Sequence, residues 1–327
     1  MHRFKLVHSF FVVVSICAVV ALVAMPASAT FPGKNGKIVL VANPGGSWQL
    51  YTINPNGSDL SQITTMAATS LESWVPNYSP DGKRILFTYG QLNSNGVCQC
   101  DLYVMNADGK GSPQNLTNDG LSQWGHWSPD GTRIVFAWTI PETGEWVITT
   151  MSSDGTGKRT KLTNPLWLSV GNGYTPDGTQ IVFDSQQGGF VSAVWTMTSE
   201  GHQQTRITPA ALELCLADVS PDGQHALMAN HCNIDLTNAI FAANLNGSDR
   251  KKLTDPPKGK TDLAWGYSPD NTKIVFISNR MSSDQSLDLY TADSDGTHIR
   301  RIADGLTVGG CPDGNCVTPS WGPDAKH

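Results

Sequence analysis

The dipeptide Pro-Asp recurs at Asp81, Asp130, Asp177, Asp222, Asp270 and Asp324, at intervals of 49, 47, 45, 48 and 54 residues. A degenerate copy, Asn35-Gly36, stands before the first, with 46 residues from Gly36 to Gly82. A near-constant period of this length means that one supersecondary unit is repeated and that neighbouring units bury each other's apolar faces. The punctuation has its own mechanism. In Ser79-Pro80-Asp81-Gly82, proline pre-sets φ at the second position of a β-turn, aspartate tolerates the third, and glycine suits the last.

A short apolar run follows every turn but the last: Ile38-Val39-Leu40, Ile85-Leu86-Phe87, Ile134-Val135-Phe136, Ile181-Val182-Phe183, Ala226-Leu227-Met228 and Ile274-Val275-Phe276. These read as strands. A second strand is centred on Tyr51, Tyr103, Ile148, Trp195, Phe241 or Tyr290, and a glycine turn follows it. A third, short strand is expected to end in a pair such as Ile63-Thr64, Leu116-Thr117 or Leu253-Thr254. A fourth runs into the next Pro-Asp turn. Four strands per 45–50 residues define a β-propeller blade. The aromatics that precede these turns (Tyr78, Trp127, Tyr174, Tyr267 and Trp321, with Val219 in the fourth unit) are expected to pack as wedges between adjacent blades.

Strand counting predicts how the ring closes. The unit from Lys37 to Thr64 lacks an inner strand, whereas Cys316–Trp321 is an inner strand with no outer triplet after it. The expected fold is therefore an all-β, six-bladed propeller of four-stranded blades, in which the C-terminal strand completes the N-terminal blade. Composition agrees. Charged residues make up 15% of the 327, against roughly 25% in ordinary globular chains, which disfavours a helical bundle. Hydrophobic residues at 39% are too many for a disordered chain. A net charge of −6 without basic clusters gives no footprint for nucleic acid.

The run Ser79-Pro80-Asp81-Gly82-Lys83-Arg84-Ile85-Leu86-Phe87, followed by Asp101-Leu102-Tyr103-Val104-Met105-Asn106-Ala107-Asp108-Gly109 and Asn115-Leu116-Thr117, resembles the TolB-type propeller repeat. Copies at Ser128–Phe136 and Ser268–Phe276 match nearly as well, with Asn271 in place of the turn glycine. The resemblance implies a periplasmic or secreted six-bladed propeller, often a protein-binding platform. Bacterial TolB has a separate N-terminal domain ahead of its propeller, and no room for one is expected between Ala29 and the first strand.

Residues 1–29 carry Arg3 and Lys5, then a largely apolar stretch from Phe10 to Met25, then Pro26-Ala27-Ser28-Ala29. Small residues at Ala27 and Ala29 suit a secretory cleavage site before Thr30. The expected organisation is a signal peptide over 1–29 and a propeller over 30–327, with retention as a membrane anchor the alternative. Six cysteines then remain: Cys98, Cys100, Cys215, Cys232, Cys311 and Cys316. An even number in an exported chain favours disulfides. Topology makes Cys215 with Cys232 and Cys311 with Cys316 plausible pairs. Cys98 and Cys100 are too close to bridge each other without strain, so they are candidates for bridges to another segment.

No catalytic motif is present, and no metal or cofactor is expected. Asp293-Ser294-Asp295-Gly296 hints at calcium but lacks the further ligands of a calcium loop. One position per blade, directly before the wedge, is expected near the axis: Asn77, His126, Gly173, Asp218, Gly266 and Ser320. Asn77, His126, Asp218 and Ser320 are the candidate axial binding residues. The leading expectation is a monomeric, non-enzymatic, exported platform for a protein or cell-envelope macromolecule, without nucleic acid and without membrane insertion after cleavage. The alternative is a lyase or hydrolase acting on polysaccharide or lactone at the channel mouth, for which Asp218 with His126 is the available pair.

Overall fold

The computed structural model describes residues 28–67, 75–92, 98–164, 169–187, 193–208, 214–230, 238–283, 286–307 and 318–325. They form six antiparallel sheets, each one blade, and no helix occurs among them. Blade I joins the two ends of the chain. Its inner strand is Ser320–Pro323, followed outward by Asn35–Ala42, Gln49–Ile53 and Ser61–Gln62, with Ile38 opposite Trp321. Blades II to VI begin on the inner strands Asn77–Tyr78, Ser122–Trp127, Ser169–Tyr174, Leu214–Val219 and Asp262–Tyr267. Closure by the C-terminal strand is thus the observed topology.

The Pro-Asp turns are side-chain knots. Ser79 Oγ donates to Asp81 Oδ1 at 2.6 Å, the same carboxylate oxygen accepts Lys83 N–H, and Ser79 Oγ accepts Arg84 N–H at 2.9 Å. Ser128, Thr175, Ser220 and Ser268 make the same bond to their own aspartates. In the second of these turns the Ser128 hydroxyl and Thr132 hold the Asp130 carboxyl below the usual carboxylate range. The last residue needs a left-handed backbone, at φ 66° for Gly82. Asn271 takes φ 61° in the fifth turn, which explains why asparagine substitutes there.

The wedge residues are buried, at 7% exposure or less, and each belongs to an apolar cluster that joins adjacent blades. Tyr78 packs with Val39 and Leu50 of blade I and Phe87 of blade II. Trp127 joins blades II and III, Tyr174 III and IV, Val219 IV and V, Tyr267 V and VI, and Trp321 VI and I. The core is therefore six seams rather than one centre. Losing a buried Trp to Ala at such a seam costs on the order of 3–5 kcal/mol.

The short outer strands stop earlier than expected, at Gln62, Asn115, Lys161, Arg206 and Lys252. The reason lies in the threonine of each Leu/Ile-Thr pair. Thr64 Oγ1 accepts the N–H of Leu50 at 2.9 Å, and Thr117, Thr163, Thr208 and Thr254 do the same for Leu102, Ile148, Val194 and Ile240. A side-chain oxygen replaces the backbone carbonyl where the ladder ends. In blade VI alanine stands in that place, and there the backbone ladder runs on to pair Leu289 with Ala303.

Blade V departs from four strands. Ser28–Ala29 lies parallel to its inner strand, with Ser28 opposite Asp218 and Ala29 opposite Val219, so this sheet has five.

Candidate functional site

Of the axial positions, Asn77, His126 and Asp218 are buried at 3%, 2% and 0% exposure, and Ser320 is half-buried. They divide into two separate groups. In blades II and III, Asn77 Nδ2 donates to the carbonyls of Val75 and Gly125, which leaves its Oδ1 to face His126 Nδ1 at 3.0 Å. His126 Nδ1 is therefore the donor. Its Nε2 is buried with no hydrogen-bond partner among the described residues. Burial pushes this imidazole down to a pKa of about 3, so it is neutral.

The second group surrounds Asp218 in blade V. Its Oδ1 accepts Thr30 N–H at 3.0 Å and Val219 N–H at 2.8 Å. Its Oδ2 faces Tyr267 N–H at 2.6 Å and the Thr30 hydroxyl at 2.7 Å. The Thr30 hydroxyl also lies 3.1 Å from the carbonyl oxygen of Tyr267. No cation among the described residues approaches the carboxyl, and burial raises it well above the usual carboxylate range against the pull of these hydrogen bonds. A single hydroxyl proton cannot serve both Asp218 and Tyr267. Both contacts are satisfied when Asp218 holds a proton, donates it to Thr30 Oγ1, and Thr30 donates to the Tyr267 carbonyl.

Thr30 was visible in the sequence only as the residue after a cleavage site. The structure makes it the partner of Asp218. The following residues cross the axis: Phe31 packs between blades II and III with Leu86 and Trp127, and Gly33 N–H donates to Pro269 O at 3.0 Å. Gly266, the blade VI member of the axial set, allows this. A Cβ there would sit 3.2 Å from Asp218 Oδ2 and 3.6 Å from Thr30 Oγ1. Asp218 and His126 each satisfy other residues, and the structure does not bring them together as an acid–base pair.

A further buried carboxyl, Asp184, has a structural explanation. Both its oxygens face Leu216 N–H, at 3.1 and 3.2 Å, which ties blade IV to the inner strand of blade V. Thr88 bonds Trp124 N–H at 2.9 Å in the equivalent place between blades II and III. Asn115, within a glycosylation sequon, is held by Asp101 and Tyr103.

Cys100 and Cys215 are each engaged in a disulfide. Cys100 lies inside the strand Cys98–Asn106, and Cys215 lies on the inner strand of blade V. Cys232, Cys311 and Cys316 fall outside the described residues, as do residues 1–27 of the expected signal peptide.

Comparison with known proteins agrees with this architecture. Residues 119–325 match the family model of the TolB beta propeller domain, PD40. An uncharacterised protein of Agrobacterium fabrum is 27% identical over 267 residues, covering 77% of this chain and 82% of the relative. The Tol-Pal system protein TolB of Francisella tularensis subsp. mediasiatica is 25% identical over 87% of this chain, which spans 62% of that protein's length. The crystal structure of TolB from Acinetobacter baumannii superposes with a TM-score of 0.66 at 18% identity, covering 90% of this chain and 68% of that one. The propeller repeat, the closure of the ring and the matched model place this chain in the TolB-type β-propeller family.

Proposed function

We propose that this chain is an exported, non-enzymatic propeller that binds a protein or another cell-envelope macromolecule on one face of its ring. The observation that carries this reading is the state of the axis. Residues 30–33 lie across it, Asp218 is engaged by Thr30, and His126 is closed on Asn77. The polar groups that a channel-mouth enzyme would need are turned inward, and the loops of the two faces remain as the binding surface. The relationship to TolB of the Tol-Pal system supports a protein partner in the envelope. The same reading includes a signal peptide over 1–29, cleavage before Thr30, disulfides that lock strand ends, and a monomeric mature chain from 30 to 327.

The test is cross-linking of the mature chain, disulfides intact, in extracts of its native envelope, with mass spectrometry to locate the links. Lys83 follows a Pro-Asp turn on one face, and Lys258 lies in a connection on the other. A stoichiometric partner linked through one of these faces supports the reading. Turnover of a polysaccharide or lactone, abolished by Asp218→Ala with His126→Ala, refutes it in favour of the enzyme.

A further inference from the structure

The N-terminal segment and Asp218 meet at the residue where the cleavage site ends. We propose that Asp218 is a receptor for the mature N-terminus: removal of residues 1–29 converts Thr30 N from an amide into an α-ammonium, which becomes the buried counter-ion of the Asp218 carboxylate. This inference rests on the processing part of the reading above and not on the identity of any partner.

The geometry is already in place. Thr30 N stands 3.0 Å from Asp218 Oδ1, and Thr30 is itself only 6% exposed. Two neighbouring amides, Val219 and Tyr267, hold the carboxyl in its orientation, so the receptor does not depend on the incoming residue for its shape. Gly266 keeps the space open, as a Cβ would press on Asp218 Oδ2 at 3.2 Å. Phe31 anchors the next residue between blades II and III, which prevents the terminus from swinging away.

The proton balance follows from the same contacts. Before cleavage, Thr30 N is an amide and offers one hydrogen and no charge, and a buried carboxylate with only neutral partners is costly, so the acid keeps its proton. Hydrolysis of the Ala29–Thr30 bond consumes one water, leaves a carboxylate on Ala29, and releases the Thr30 amine. That amine takes the proton Asp218 gives up, the proton of the new Ala29 carboxyl passes to solvent, and the Thr30 hydroxyl then donates to the Asp218 carboxylate in place of the Tyr267 carbonyl. The product is an ion pair with charge-assisted hydrogen bonds, stronger than the neutral contacts it replaces. Cleavage also removes Ser28–Ala29 from the inner edge of blade V, so the seat of the N-terminus is made by the processed chain.

A chain beginning at Thr30, released from a fusion by a protease that leaves no extra residue, tests the receptor independently of how the cell processes the precursor. Its α-amine should react with an acylating reagent in the native state about tenfold or more slowly than in the urea-unfolded chain, the factor that one unit of raised pKa gives. Asp218→Asn should abolish that protection. A second chain beginning at Ser28 should melt lower than the first, and Asp218→Asn should erase the difference. Equal acylation in native and unfolded chains, or a Ser28 chain that melts with the Thr30 chain, overturns the proposal. If Asp218→Asn does not fold, Gly266→Ala, whose new methyl crowds the same oxygen, replaces it. Intact mass of the exported protein separately reports whether cleavage falls before Thr30, so a failure of processing is distinguished from a failure of the receptor.

Discussion

His126 should make this propeller acid-sensitive by a calculable amount. The imidazole is 2% exposed, bonded through Nδ1 to Asn77, and without a partner at Nε2 among the described residues. Protonation would place a cation in the ring with one lone hydrogen unsatisfied, and burial accordingly holds its pKa near 3, against 6.5 for an ordinary histidine. The folded-state pKa is depressed, so the unfolded chain binds this proton first. Stability is unaffected above pH 6.5 and falls as pH drops below it, until the folded state also protonates near pH 3. At pH 5 the loss is the 1.5 units already crossed, or about 2 kcal/mol at 1.36 kcal/mol per unit. His126→Asn keeps a donor toward Asn77 Oδ1 and removes the titrating nitrogen. Urea unfolding followed by tryptophan fluorescence at pH 7.5 and pH 5 gives the difference between the two proteins at each pH. The variant starts destabilised by the cavity it leaves, and other titrating groups are common to both chains and cancel. The gap should then shrink by about 2 kcal/mol at pH 5, equivalent to a change of about 4 °C or more in melting temperature. Parallel pH profiles would refute the claim that this histidine is held neutral by burial.

Three further outcomes follow from the scaffold. Thr163→Val keeps the side-chain shape but orphans Ile148 N–H, and should cost about 1–3 kcal/mol in urea unfolding, whereas Thr163→Ser should cost under about 1 kcal/mol. A valine variant as stable as wild type would deny the threonine its role in the ladder. Deleting 316–327 removes the inner strand of blade I and Trp321, and should lower the melting temperature by about 10 °C or more, given 3–5 kcal/mol for the tryptophan alone. Asp184→Asn should raise stability at pH 7. Burial lifts the Asp184 carboxyl above its ordinary 3.8, so folding carries a penalty that grows as pH rises through that value and is absent below it. A variant gain that persisted unchanged at pH 3 would contradict that origin.

The parts of the fold that repeat were legible because each repeat is a separate witness to the same physical requirement. Five turns with a left-handed last residue, and six wedges filling six seams, leave little freedom in reading strand order or ring closure. The threonine of the Leu/Ile-Thr pair also repeats, yet its role was missed, because a threonine at the end of a strand fits β-propensity equally well. Only the Thr64 Oγ1 to Leu50 N distance reveals it as a substitute carbonyl. The axial residues lie on the inner strands directly before the wedges, but their partners were not foreseeable. Asp218 meets Thr30 across 188 residues, and no local pattern encodes that separation.

This contrast suggests where to look for individuality in a repeat protein. Residues that recur from blade to blade are absorbed by the scaffold: the Pro-Asp knots hold one face, the wedges hold the seams, and the threonines end the ladders of five blades. What remains at the axis differs blade by blade, and the differences are coordinated. Gly266 is small where Asp218 needs room, Asp218 is acidic where Thr30 arrives, and Asn77 is an acceptor where His126 donates. Such pairings have no value to a generic blade. Under the proposal above, the Asp218, Gly266 and Thr30 set holds the N-terminal segment in one place across the ring.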